Sequence, residues 1–400
     1  MRTLARRTIA ARTPTGLLAP FIYRPGDVLP GQVSSRASIA TYLDSSGILQ
    51  TAASGVLRDA HYIGGVRHTI VEVGKGNSAL WCRDLTNVVW NKTNLTATKD
   101  QIGVDGAANS ATRLTATAAN ATAIQAIAGN QNWTNSVYIK RVTGVGTVQL
   151  TNDNGATWTT VTVTGAYTRV FKAQSVNGAN VGIRLVTSGD EVCVDYWQTE
   201  PFGVGVGSMP SSAILTTTVS VNRSSDTLYW SWRTALPQEL TTYIDVTDDG
   251  YYASSGGGGT ALIISDTAST SAITMGRSNG SSSNNLTVAG VGGGSRNAGL
   301  FFNSTFGDEV EMWAAYASDA TIRGAYSLNR GALVYSGNTI PNQYTQAPTL
   351  FMPQRWGMNA NLDVGIAISN VYGSSVQTEL SFRSIKVVAG VYSLESMRTM

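Results

Sequence analysis

Few groups in this sequence could carry enzymatic chemistry. Asp308, Glu309 and Glu311 form the densest acidic cluster. On a strand Glu309 and Glu311 share a face, and glycoside hydrolysis needs two carboxylates about 5 to 9.5 Å apart. Val310, Met312 and Ala314 alternate with them, however, the pattern of a sheet with one wet face rather than of a catalytic pair. Asp245, Asp248 and Asp249 in DVTDDG could offer oxygens to calcium, but the loop lacks the glutamate that closes an EF-hand site, so it reads as a turn. His61 and His68 flank Gly64-Gly65 with no cysteine or carboxylate at metal-ligand spacing, and read as turn or interface residues. No nucleophile elbow is present. Cys82 and Cys193 allow one bridge at most, and Cys193, between Val192 and Val194, reads as a small buried hydrophobe. Neither a catalytic residue nor a metal or cofactor site is expected, and the chain reads as non-enzymatic.

The aromatic residues are a richer set, with nine tryptophans and 16 tyrosines. Flat rings stack on sugar faces, while Asn, Asp and Thr supply directional hydrogen bonds. Trp230 and Trp232 share a face of TLYWSWRT, with Tyr229 on the other, and Tyr196 and Trp197 close a long strand-like run. Trp356 sits in PQRWGMN, where Pro353, Gly357 and Asn359 make a loop. Core packing is the ordinary role of such rings. The candidate carbohydrate-binding residues are Trp356, Asn359, Trp230 and Trp232.

These groups must be positioned by strands. The chain has 400 residues, of which 42% are hydrophobic and only 13% charged, with 42 glycines. That charge content is about half the usual share, so the polar surface falls to Ser, Thr, Asn and Gly, which suits half-buried sheets and disfavours exposed helices. No run reaches the roughly 18 apolar residues of a membrane span, and MRTLARRTIAARTPTG is basic without the apolar core of a secretory signal. The net charge of +3 is too small for a protein built around phosphate neutralisation.

Four segments differ in texture. Residues 1–35 form a basic arm, with Arg2, Arg6, Arg7, Arg12 and Arg24 as candidate anchoring residues and two Pro-Gly turns. Residues 36–80 read as short strands and hairpins around Ser45-Ser46-Gly47 and Gly64-Gly65. Residues 81–205 carry the strand-like runs VYIKRV, GTVQLT, TWTTVTVT, TRVFKAQ, VGIRLVT and EVCVDYWQTE, separated by Asn/Gly/Asp turns at the spacing of a sandwich. The Ala/Thr stretch 107–128 fits either a short helix or strands of small residues. PFGVGVGSMPSS (201–212) reads as a linker. Residues 206–400 form a second all-β unit, whose runs include TLYWSWRT, TTYIDVT, EVEMWAAYA, RGAYSLN and ELSFRSIKVVAGV, ending in one helical turn at SLESMRT. Gly256–Gly259 and Gly292–Gly294 lack the lysine and helix of a phosphate loop and read as surface loops. The expected fold is all-β, two jelly-roll or β-sandwich domains after an extended basic N-terminal arm.

Arg36, Ser38, Ala40, Thr41, Tyr42, Asp44 and Gly47 spell R-x-S-x-A-T-Y-x-D-x-x-G, followed by Glu72 and then by Trp90 and Lys92 as W-x-K. This pattern resembles a module common in bacteriophage virion proteins, in which the W-x-K opens a carbohydrate-binding-like jelly roll. The Arg-Thr-Asn-Leu usual after the glutamate is replaced here by residues Gly74 to Leu80. GDEVEMWAAYASDATIRGAYSLNRGA and SFRSIKVVAGVYSLESMR are similar to the concanavalin A/laminin-G type sandwich found at the end of the same proteins.

The resemblance implies a non-enzymatic virion structural protein of a tail fibre, spike, or head or collar appendage, anchored by its N-terminal region and located in the virion after cytoplasmic synthesis. Its partners would be other virion proteins and further copies of itself, with a trimer as in many fibres. A receptor-binding adhesin for host surface glycan is the alternative, and a polysaccharide depolymerase ranks below it. Nucleic acid is not an expected partner of the arm, and no membrane insertion is expected.

Overall fold

The computed structural model describes residues 20–72, 74–202, 209–231 and 240–247, and beyond them 259–265, 272–277, 283–289, 295–303, 308–316, 321–332, 334–335, 340–341, 365–368, 380–389 and 394–400. Apart from the helix Leu394–Thr399, all regular structure there is strand, so the chain is all-β.

The first sandwich is built within residues 91–202 from two five-stranded antiparallel sheets. One runs Thr168–Asn177, Asn130–Thr143, Glu191–Phe202, Ala111–Ala116, Leu95–Gln101 in spatial order; the other runs Thr159–Val161, Val148–Thr151, Asn180–Leu185, Ala121–Ala126, Asn91–Thr93. The ambiguous Ala/Thr stretch is two of these strands. Its buried Ala111, Ala121 and Ala123 let the sheets approach closely, and Thr122 alternates outward. The core joins Leu114, Val137, Ile139, Leu150, Ile183 and Val194, with Trp90 and Trp197 packed edge to face at 4.9 Å between ring centroids. Each such side chain contributes about 1.5–3 kcal/mol through burial.

The second sandwich does not begin at residue 206. Its nine-stranded sheet is centred on Leu240–Thr247 and Leu380–Ala389, and Leu380–Ala389 pairs with both Phe21–Tyr23 and Val66–Val71. Its seven-stranded sheet has Gln32–Ser35 as an edge strand beside Thr227–Ser231. The arm and connecting region assigned by sequence thus supply strands to the C-terminal unit from residue 21 onward. The cause is apolar: Tyr23 stacks on Trp230 at 4.9 Å and on Phe382 at 5.7 Å, and all three are fully buried. The hairpins of residues 36–80 form as the turn signals require, Ala40–Leu43 with Leu49–Ala52 and Arg58–Ile63 with Val66–Val71. At the second turn Gly64 and Gly65 both take positive φ, 57° and 81°, the conformation of a two-residue hairpin loop.

The outer face of the nine-stranded sheet carries a small core of Tyr243, Trp313, Ala325, Val388 and Met397, which the C-terminal helix covers. Among the described residues no helix is long and apolar enough to cross a membrane.

Candidate functional site

The carboxylates singled out by spacing are tied into ion pairs. Glu311 is buried, not on a wet face: Arg398 donates to it through Nε at 2.9 Å and the Tyr243 hydroxyl donates at 2.8 Å. Glu309 pairs with Arg383 and, at 3.2 Å, with Arg330, and these guanidinium groups hold its carboxyl below the usual range. Val310, Met312 and Ala314 are buried as well, so both faces of this strand are covered, one by the opposing sheet and one by the helix. Asp245 pairs with Arg383 in the same layer, while Asp248 and Asp249 lie outside the described residues. No group of three or more His, Cys, Asp or Glu side chains among the described residues is placed to hold a metal ion.

His61 and His68 face each other across their hairpin. His61 Nδ1 accepts from the Leu43 amide at 3.1 Å, and His68 Nε2 lies 2.9 Å from the Thr247 hydroxyl. Burial pushes both imidazoles down to about 4. Cys82 and Cys193 are free, buried thiols.

The motif running from Arg36 to Glu72 assembles a buried ionic junction. Arg36 donates to Asp226 at 2.8 Å; Arg58 donates to both Asp226 and Glu72; Arg223 lies 3.5 Å from Glu72. Glu72 also accepts from the Ser212 amide and hydroxyl, both at 2.6 Å. The facing arginines hold the Glu72 carboxyl far below its ordinary range despite burial. Thr41 donates to the Ala213 carbonyl, and Gln198 and Glu200 of the first sandwich bond Ser211. Residues 209–217, whose first part reads as linker by composition, therefore run through a polar seam, with Ser211 only 1% exposed. Asn77, within the stretch between Gly74 and Leu80, donates to the carbonyls of Trp197 and Ile214 at 2.9 Å. Lys92 of W-x-K points its ammonium at four carbonyls, those of Leu85, Thr86, Asn87 and Trp90, at 2.7–3.3 Å. The motif residues are thus structural.

Trp230, a candidate sugar ring, is fully buried against Phe21 and Tyr23, with Nε1 bonded to Gln32. The ring is core because its strand lies between Gln32–Ser35 and Gly365–Ile368 in a sheet packed on a second sheet. Trp232, Trp356 and Asn359 lie outside the described residues, as do Arg2, Arg6, Arg7 and Arg12. Arg24, the one arginine of the arm within them, donates to the Met400 carbonyl at 2.7 Å, inside its own chain.

The structure brings together a different set. On the outward side of the second sheet of the first sandwich, Thr93, Thr122, Arg184, Gln149 and Thr160 are register partners in one row across all five strands. Their neighbours Val148, Leu150, Ile183 and Ala123 point into the core, which fixes the row outward. Arg184 sits at its centre. Its Nε donates to Gln149 Oε1 at 2.8 Å, its Nη2 donates to the same oxygen, and its guanidinium lies over the Trp158 ring at 4.4 Å. On the opposite face of the sandwich Ser136, Gln198 and Glu200 are buried under the segment that carries Ser211. Trp158 carries a signal in sequence, TWTTVTVT, but nothing local places Arg184, 26 positions on, beside it.

No family model matches the chain. No curated protein matches it by sequence. Among solved structures it is similar to domains LG4-5 of the mouse laminin alpha1 chain, with 10% identity over 70% of this chain and 90% of that one, at a TM-score of 0.23.

Proposed function

We propose that the chain is a non-enzymatic structural protein of a bacteriophage virion, displaying two β-sandwiches as part of a fibre, spike, or head or collar appendage, and assembling with copies of itself. The observation that carries this reading is the buried junction. Arg36, Thr41 and Glu72, the residues on which the resemblance rests, meet Arg58, Ser212, Arg223 and Asp226, and the segment they hold is bonded in turn through Ser211 to Gln198 and Glu200 of the first sandwich. A buried polar joint between two sandwiches suits a display element, and Glu309 and Glu311, the carboxylates a hydrolase would need, are held in ion pairs.

The test is proteomics and cryo-EM of purified particles of a phage whose genome encodes the chain, with light scattering of the isolated protein. The expected result is a stoichiometric virion component, oligomeric in solution, with its sandwiches projecting outward. Its absence from particles would overturn the assignment.

The polar row around Arg184 favours a second reading, a receptor-binding adhesin for host surface glycan. Directional donors and acceptors on an outward sheet face are the equipment such recognition uses.

A further inference from the structure

We infer that the outward sheet face centred on Arg184 binds a glycan bearing carboxylate groups, such as a uronate-containing polysaccharide. This inference rests on the adhesin reading and names its ligand class.

Three observations carry it. Arg184 has no acidic partner among the described residues, whereas Arg36, Arg58, Arg83, Arg113, Arg141, Arg223, Arg383 and Arg398 each have one. A half-buried guanidinium left without a counter-ion on a polar face is available to a ligand's anion.

Its orientation is set in advance. Gln149 Oε1 takes Nε and one Nη2 proton, and the Trp158 ring supports the guanidinium plane. Gln149 is itself held by its amide, which donates to the Thr160 hydroxyl at 3.2 Å. The end of the fork, Nη1 with the remaining Nη2 proton, is left for a carboxylate, which accepts two parallel hydrogen bonds in that geometry.

The surroundings suit an oligosaccharide. Thr93, Thr122 and Thr160 extend the row to both sides, and strands spaced about 4.8 Å apart make it about 19 Å wide. In the adjacent row stands Gly182, and the side chain of Ile124 across from it lies over that position, 2.7 Å from where a Cβ would be, an apolar contact beside Arg184.

The experiment measures binding of the full chain to immobilised polygalacturonate, alginate and hyaluronate, each beside its carboxyl-reduced form. Wild type is expected to bind at least one acidic polymer, with affinity falling as salt rises and at least about tenfold weaker for the reduced form. Arg184→Gln is expected to lose at least about tenfold. Thr122→Glu, which sets a carboxylate directly across from Arg184, is expected to lose as much while melting like wild type. The inference is overturned if no acidic polymer binds, or if both variants bind as wild type does. It is also overturned if reduced polymers bind as well as acidic ones, an outcome that leaves the adhesin reading standing. The virion assignment is decided by the particle map alone.

Discussion

Arg36 donates to Asp226 at 2.8 Å across 190 positions of the chain, and neither side chain is more than 5% exposed. Asp226 also receives Arg58, which in turn meets Glu72, so two carboxylates and three arginines share one buried site. Removing one member strands its neighbours. Glu72→Gln should lower unfolding free energy by about 3–5 kcal/mol, read from the denaturant midpoint. A loss below about 1 kcal/mol, the scale of an exposed pair, would show that the junction does not hold the fold.

The C-terminal helix is fastened by Arg398 on Glu311 and by Lys386, whose ammonium donates to the Met397 carbonyl. Arg398 is 28% exposed, so Arg398→Ala should cost about 1–3 kcal/mol, less than the loss of a fully buried partner. Adding Glu311→Gln should recover part of that loss, because the stranded carboxylate is then neutral. A thermal double-mutant cycle reads both effects.

His68 is held neutral by burial, its pKa pushed down to about 4 from an ordinary 6.5. The unfolded chain therefore binds a proton between those values that the folded chain refuses. The stabilisation is fully present above pH 6.5 and drains away as pH falls toward 4, on the order of 3 kcal/mol in all. His61 titrates in the same window, so His68 is isolated by comparing wild type with His68→Gln. The melting temperature of the variant should fall less steeply between pH 6.5 and 4.

Lys92 satisfies four carbonyls with one ammonium. Lys92→Met keeps the aliphatic stem and removes the donor, and should cost about 1–3 kcal/mol. Lys92→Arg should not restore the loss, since a flat fork cannot direct its donors into a nest that suits a compact ammonium. Chemical denaturation of the two variants checks both statements.

The first sandwich was largely legible. VYIKRV, GTVQLT, TRVFKAQ, VGIRLVT and EVCVDYWQTE all fall on its strands, because alternation along a strand is local information. SLESMRT gives the one described helix for the same reason. What alternation does not contain is the identity of the layer on the other side. EVEMWAAYA reads as half-wet because its carboxylates look exposed, yet the helix that covers them comes some 80 residues later, bringing Arg398 to Glu311 from 87 positions away. The junction is hidden likewise, its partners lying 14 to 190 positions apart. The row around Arg184 needs cross-strand register, which no spacing along the chain expresses.

The pairing of Phe21–Tyr23 and Val66–Val71 with Leu380–Ala389 also dictates an order of biosynthesis. Those early strands leave the ribosome roughly 300 residues before the strand that completes their sheet, a wait of roughly 15 to 60 s at about 5–20 residues per second. The strands of the first sandwich all lie within that interval. During translation the edges of the early strands stay unzipped, and Leu380–Ala389 is the strand that seals them.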